Sequence, residues 1–386
     1  MGQSQFSMQA SKKFLGTVPF LAYQKQEIAV QNGLPKDYYY KGLLLSLTFR
    51  WTAGASTSGT FNAEAGQNLI EMIEINGNHK VLGDYTPYRV PGDYTFQVSN
   101  VEDGYNHKRL CSINAGALGA VPTQGTAPLN AGTYDILVNY HISFVPRRIQ
   151  AAEQLFYLLD APYWNTLSLY IYWGGIGSLV SGYGGTPTIT AYGSAAGSPL
   201  LNVTREIVKL STSKNQIKTI PIKRSVKFVP VTTTQTGAYI CDLNKGNLIR
   251  SLWFKCGVTT TGTSLAAQGD NFATLQDPTT ICNRLTPKRD DIAQRDVYWL
   301  DNQEFEAQSK QLGAVFSQGN ATATNYPAGY NEIDFCEDNT ISTAYNTVQI
   351  ARNNSRWELW GDITGASNQK LDILTEEVAS IPVLAN

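Results

Sequence analysis

Hydrophobic and polar residues alternate from Tyr134 to Phe144. Tyr134, Ile136, Val138, Tyr140, Ile142 and Phe144 fall on one side; Asp135, Asn139, His141 and Ser143 fall on the other, with Leu137 the exception. Period two over this length predicts a strand with one buried and one wetter face. Pro146 lacks a backbone donor and ends it. The period then becomes helical: Ala151, Leu155, Leu158 and Leu159 follow i, i+4, i+7, i+8, which predicts a short helix over Ile149–Asp160. Asp160-Ala161-Pro162 closes it, because a residue before proline is pushed out of the α region. A second strand, Trp164–Trp173, is rich in Leu, Tyr, Ile and Trp, which suit a pleated surface, and Gly174-Gly175 stops it.

The same reading extends along the chain. Leu43, Leu45, Leu47, Phe49 and Trp51 alternate with Ser46, Thr48, Arg50 and Thr52, a core strand. Leu69–Ile75 leads into Asn76-Gly77, a hairpin-turn signal because both residues tolerate positive φ. Tyr94–Val98 reads as a short strand, Asn100–Asn130 as a long polar excursion, Gly174–Ser198 as loop and Val203–Leu210 as a strand. Ser211–Gln216 is a polar candidate boundary. Beyond it come strands at Ile220–Val231 and at Asn247–Val258, where Leu248, Leu252, Phe254, Cys256 and Val258 share a face. Trp299–Leu312 lacks Gly, Pro and Val and reads as a second helix. Short strands follow at Glu332–Cys336, Thr347–Ala351, Trp357–Ile363 and Leu371–Leu374. Each half thus holds several short strands, long loops and one late helix: an all-β pattern repeated twice, suited to two sandwiches such as jelly rolls. The expected division is an N-terminal arm over 1–36, a first jelly roll over 37–212 and a second over 213–386.

The arm carries six glutamines and four lysines against one glutamate, with Phe6, Ala10 and Phe14 forming one weak helical stripe before Pro19. It reads either as a disordered tail or as a segment that orders against a neighbour or a lipid surface. In the second case Lys12, Lys13 and Phe14 are its contact residues, since basic residues favour anionic membrane surfaces and aromatics add interfacial burial.

Composition narrows the function. Of 386 residues, 42% are hydrophobic and only 16% charged, against about 25% charged in ordinary globular proteins. A chain with so few charges is expected to bury much of its surface against partners. Its net charge is -1, which leaves no basic footprint for sequence-specific nucleic-acid binding. The five cysteines (Cys111, Cys241, Cys256, Cys282 and Cys336) are scattered without CxxC and read as free thiols. No apolar run reaches 18 residues and Met1–Ser11 lacks the apolar core of a signal peptide. The expectation is therefore cytoplasmic synthesis, in which the sequons at Asn202, Asn320 and Asn353 carry no meaning.

Candidate chemistry is thin. His79, His107 and His141 are the only histidines, and none has a metal-ligand partner at close spacing. His79, after the Asn76-Gly77 turn, is expected in solvent; His141, on the wetter face of its strand, is expected packed or hydrogen-bonded. There is no G-x-S-x-G, no GxxxxGK[ST] and no dinucleotide fingerprint. Asp290-Asp291 and Glu304/Glu306 could serve a glycosidase only at a set separation, and read first as surface charge. Asp270-Asn271 and Asp301-Asn302 lack an EF-hand loop. Arg147-Arg148 and the basic run Lys214, Lys218, Lys223, Arg224 and Lys227 are too dispersed for nucleic acid and are expected to meet acidic neighbours instead. No enzyme activity, cofactor or metal is expected.

The order of features resembles the double jelly-roll major capsid proteins of tailless, membrane-containing icosahedral double-stranded DNA viruses, the tectivirus-type lineage. The Leu43–Trp51 strand after an arm, Asn68–Ile75 before a turn, Ala131–Pro146 followed by a helix, and Thr166–Trp173 carry the resemblance. So do the two late helices and the run Tyr330–Cys336, Thr347–Ala351 and Trp357–Ile363. It implies two eight-stranded jelly rolls standing side by side, a homotrimer of pseudo-hexagonal outline, outward loops and an arm toward the membrane or neighbouring capsomers. It also implies penton and minor capsid proteins as partners and a place in the virion shell. Two other readings stay open: an extracellular β-sandwich binding protein, such as a phage adhesin or lectin, and a jelly-roll glycosidase.

Overall fold

The computed structural model describes residues 8–31, 38–53, 60–62, 66–80, 82–103, 111–115, 132–145, 157–181, 185–210, 222–243, 248–259, 272–276, 281–289, 292–293, 297–298, 329–334, 357–366 and 368–378. In chain order the strands are β1 (Met8–Pro19), β2 (Lys25–Ala29), β3 (Tyr38–Thr52), β4 (Thr60–Phe61), β5 (Ile70–His79), β6 (Gly83–Val90), β7 (Cys111–Ala115), β8 (Thr133–Ser143), β9 (Leu159–Asp160), β10 (Trp164–Trp173), β11 (Val180–Ser181), β12 (Thr188–Thr190) and β13 (Leu200–Leu210). They continue with β14 (Ile222–Pro230), β15 (Gln235–Asp242), β16 (Leu248–Thr259), β17 (Phe272–Leu275), β18 (Cys282–Arg289), β19 (Ile292–Ala293), β20 (Val297–Tyr298), β21 (Tyr330–Asp334), β22 (Trp357–Ile363) and β23 (Gln369–Val378). Helix α1 (Gly92–Asp103), the single turn α2 (Ile176–Leu179) and a 3-10 turn at Ala161–Tyr163 accompany them.

Three sheets carry the architecture. A seven-stranded first outer sheet runs β1-β13-β3-β8-β7, with β12 and β9 also paired to β3. A nine-stranded middle sheet runs β17-β16-β23-β14-β6-β5-β10-β2, with β21 on β16. A five-stranded second outer sheet runs β15-β22-β18-β19, with β20 on β18. A two-stranded ribbon pairs β11 with β4.

The alternating strands supply the cores. On β3 and β8, Leu45 stands opposite Tyr140, Leu47 opposite Val138 and Phe49 opposite Ile136, and all six are buried. Such directly opposed apolar pairs are the unit of sheet stability. They meet Ile73, Ile75, Leu169 and Ile171 of the middle sheet in a first core. Leu252, Phe254 and Cys256 of β16 and Leu371 and Ile373 of β23 meet Leu285 and Leu359 of the second outer sheet in a second core.

The middle sheet belongs to both sandwiches. Strand β14 lies parallel to β6 through Arg224 opposite Tyr88 and Ser225 opposite Arg89, so the ladder does not break between the halves. Within β16, Trp253 joins the first core while Leu252 and Phe254 join the second. Within β23, Leu374 joins the first and Ile373 the second. Successive strand residues point to opposite faces, so this half of the middle sheet is buried on both sides.

Several expectations change. The segment expected as a peripheral arm builds two strands. β1 pairs along its length with β13, and β2 pairs with β10. The helical stripe through Ala10 and Phe14 is absent, because Leu15 and Phe20 pack on the first core and Val18 belongs to it. Asn76-Gly77 is no turn; it lies inside β5, paired with Ser168 and Leu167 of β10. A Cβ at Gly77 would sit 2.1 Å from the Thr166 carbonyl oxygen, so glycine serves close strand approach there. Tyr94–Val98 lies in α1, not a strand. Pro91 precedes the helix and Asp93 occupies its first turn, both start features. Tyr94, Phe96 and Val98 are all in the first core, and a helix buried on more than one side mimics alternation. The end of the expected 149–160 helix is extended instead, with Tyr39 opposite Asp160 and Tyr40 opposite Leu159. The polar excursion contains β7, which pairs with β8, and the 174–198 loop contains α2. Residues 149–156 of the expected helix, the Trp299–Leu312 helix, the Thr347–Ala351 strand and the 211–216 boundary lie outside the described residues.

Candidate assembly surface

Among the described residues, the candidate histidines His79 and His141 lie on different strands, β5 and β8. His107, Asp290, Asp291, Glu304, Glu306 and the Asp-Asn pairs lie outside the described residues. His79, expected in solvent, is buried; it stacks 5.8 Å from Tyr163 and meets Trp164 edge-on at 5.0 Å. Burial lowers its pKa from the ordinary histidine value. Among the described residues no group of three His, Cys, Asp or Glu is placed to hold a metal ion. Cys241, Cys256 and Cys282 are free thiols, and burial pushes the Cys241 thiol up to about 11, far from the range of a reactive thiolate.

Lys12, Lys13 and Phe14 sit together on β1, an edge strand, but they point different ways. Lys12 lies opposite Glu206 and Phe14 opposite Thr204. Lys12 Nζ stands 3.7 Å from Glu206 Oε1, and His141 Nε2 donates to Glu206 Oε2 at 2.7 Å. Three strands thus meet at one carboxylate. Gly42 of β3 leaves room between them: a Cβ there would be 3.2 Å from Glu206 Oε2 and 3.3 Å from His141 Nε2. Lys13 belongs to the opposite phase and lies over the Tyr38 ring at 5.5 Å, which Lys209 also approaches at 5.7 Å. Phe14 is 63% exposed.

At the far end of the same sheet, Arg50 grips Asp135 through two 2.7 Å hydrogen bonds. Those bonds hold the Asp135 carboxyl below its usual range. Gly193 N–H also donates to it at 3.0 Å.

Where the second outer sheet ends against the middle sheet, a groove of about 480 Å³ opens. Met72, Arg89, Lys227, Val229, Tyr239 and Cys241 line it, and Lys227 Nζ donates to the Asp242 carbonyl. Nearby, Lys25 lies over the rings of Tyr170 and Tyr172 at 3.9 and 4.9 Å.

The seam between the sandwiches is ionic and buried. Arg224 Nε and Arg250 Nη1 donate to the two oxygens of Glu376 at 2.7 and 2.6 Å. Lys255 pairs with Asp93 of α1 inside a ring of Tyr94, Phe272 and Tyr330. The Tyr94 hydroxyl lies 3.1 and 3.0 Å from the carbonyl oxygens of Trp253 and Asp372. Burial pushes the Asp372 carboxyl up to about 6 against the pull of Lys370 and Lys255. Sequence reasoning placed Arg224 in a basic run suited to acidic neighbours, which Glu376 supplies, but missed the rest of this seam. It also missed Glu206 and the Arg50–Asp135 fork: alternation could assign each to a face, but not choose its partner.

No protein-family model matches the sequence, and no curated protein matches it. Solved structures do match. The major capsid protein of Sulfolobus turreted icosahedral virus superposes with TM-score 0.60 at 12% identity, over 98% of this chain and 100% of that one. PBCV-1 VP54, in a structure fitted to the virophage Sputnik, gives 0.55 at 11%, over 98% and 95%. The major capsid protein P2 of bacteriophage PM2 gives 0.50 at 13%, over 97% and 99%. Two sandwiches joined through one unbroken sheet, matched along nearly their whole length, give this chain the double jelly-roll fold of those major capsid proteins.

Proposed function

We propose that this chain is a major capsid protein whose homotrimers form pseudo-hexagonal capsomers that tile an icosahedral shell around an internal membrane. The observation that carries the reading is the length of the likeness: it spans nearly all of this chain and nearly all of each capsid protein. Low charge density supports it, because a shell subunit must present broad surface that is cheap to desolvate. The partners in this reading are further copies of the chain, penton and minor capsid proteins, and the membrane surface beneath. In this reading Lys12, Lys13 and Phe14 contact the membrane surface or a neighbouring copy of the chain. Its place is the virion shell, after synthesis in the host cytoplasm, and it needs neither catalysis nor a cofactor. The adhesin reading gains little: Tyr239 and Trp360 meet at 76°, not as the flat platform on which a sugar stacks.

Purified full-length chain, sized by light scattering, is expected at three times the 42.4 kDa chain mass. Negative-stain images are expected to show hexagon-like particles. A species that stays monomeric across a wide concentration range overturns the reading.

A further inference from the structure

We propose that the outward face of the first outer sheet is the surface on which a second copy of this chain docks. The inference deepens the capsomer reading and rests on it.

The face can be read row by row from the strand register. Phe14, Thr204, Leu44 and His141 form one row; Thr17, Asn202, Ser46 and Asn139 the next; Pro19, Leu200, Thr48 and Leu137 the third. These rows have the phase opposite to Leu43, Leu45, Leu47 and Val138, which fill the first core. The core therefore covers only the other face. Leu44, Ser46, Thr48, Leu137 and Asn139 are half-buried within the sheet, while Asn202 and Thr17 are exposed. Phe14 and Leu200 are 63% and 46% exposed.

Charge chooses the occupant. Apart from His141, the three rows carry no ionisable side chain, and among the described residues of β1, β13, β3 and β8 the charged groups on this face stand at its two ends. There Glu206 is shared by Lys12 and His141, and Arg50 is held by Asp135. Each end is internally compensated, so the face has no net field to draw an anionic membrane or a nucleic acid. It also has none to repel the surface of another copy of the chain. Strand spacings of about 4.8 Å and two-residue repeats of about 6.7 Å give the rows and their ends roughly 600 Å². That approaches the ~800 Å² per partner of a standard stable interface.

The neighbouring edge is unsuited to strand addition. β1 carries Lys12 and Lys13 and a register shift between Phe14 and Gly16, and edge lysines and bulges are both devices that discourage edge pairing. Docking through the face leaves that protection intact.

The test uses the full chain and three variants. Leu200→Arg/Asn202→Arg places charge in the middle of the face at two exposed positions. Thr17→Arg does so from the edge strand, should the double variant fold poorly. Thr236→Arg is an exposed control on the second outer sheet. Light scattering over a concentration series is expected to show at least a tenfold rise in the association midpoint for the face variants. Their circular dichroism should match wild type, and the control should associate as wild type does. Folded face variants that associate at the wild-type midpoint overturn the docking face and leave the capsomer reading standing. A wild-type chain that never associates overturns both. A further variant, Leu200→Glu/Asn202→Glu, carries the membrane arm: flotation of the chain with phosphatidylserine vesicles that this variant abolishes, with self-association unchanged, assigns the face to membrane and overturns the proposal.

Discussion

Arg224 on β14 and Glu376 on β23 face each other across the seam, Nε to Oε2 at 2.7 Å, with side chains 6% and 1% exposed. Arg250 takes the other oxygen. Burial alone would push the Glu376 carboxyl up, but the two guanidinium charges override it and hold it down to about 2. The folded pKa lies below the ordinary 4.5, so its contribution is present above that value and is lost as pH falls toward 2. Glu376→Gln leaves two guanidinium groups buried without their counter-charge and is expected to cost about 3–5 kcal/mol at pH 7. Denaturant titrations at pH 7 and pH 3 check it: the gap between wild type and variant should shrink at pH 3. Equal stability at pH 7 would show the seam to be energetically idle.

Asp160 behaves in the opposite sense. Burial pushes its carboxyl up to about 6, opposed by Lys80, and its Oδ1 is buried with no hydrogen-bond partner among the described residues. A raised carboxyl pKa means the folded state holds the proton better, so stability grows as pH falls from about 6 toward the ordinary 3.8. Asp160→Asn is expected to stabilise the protein by about 1–2 kcal/mol at pH 8 and to lose that advantage by pH 4. Melting temperatures of both proteins at the two pH values decide the matter.

Ile142 is fully buried in the first core, one residue from the half-buried His141. Ile142→Asp removes core packing and buries an unpaired charge, each worth several kcal/mol, roughly, and is expected to prevent folding. His141→Ala loses one hydrogen bond to Glu206, which keeps Lys12 beside it, and is expected to cost about 1 kcal/mol. Soluble expression and circular dichroism of the pair report directly on the strand phase.

Deleting residues 2–20 removes β1, exposes the edge of β13 and strips Val18, Leu15 and Phe20 from the first core. Phe20 also loses its edge-on contact with Trp173 at 5.3 Å. A fully buried apolar side chain is worth about 1.5–3 kcal/mol, so the truncated chain is expected to melt well below the full chain and to aggregate. A wild-type melting temperature after truncation would mean that β1 adds nothing to the fold.

The long strands were legible because one-sided burial writes a two-residue period: Leu43–Trp51 and Tyr134–Phe144 are found where alternation places them. Strands β1, β2 and β15 were not, because edge strands bury few residues and leave a mixed pattern. In β15 only Ala238 is buried. Strand β14 was legible as a strand but not as a bridge. Its Val226 packs on the first core and its Val229 on the second, and two-sided burial erases the period that would identify a face. Arg224 and Glu376 lie 152 positions apart, a pairing only the closed fold creates. Pairwise chemistry across a face, such as Lys12–Glu206–His141, depends on strand order, which alternation does not encode.

The unbroken middle sheet also has a history in time. As the chain leaves the ribosome, the first sandwich can close around its own core while the outer edge of β6 has no partner, since β14 does not exist until synthesis has passed from Val90 to Ile222. During that interval α1 also lacks Trp253, Leu374 and Tyr330, the residues that complete its side of the core. Two growing chains held close together on one message would each present the same open edge. The arrival of β14 is therefore a race between the correct strand of the same chain and a neighbour's unfinished sheet. Slow translation between these points favours the neighbour, and rapid synthesis or a chaperone over the open edge favours the native fold.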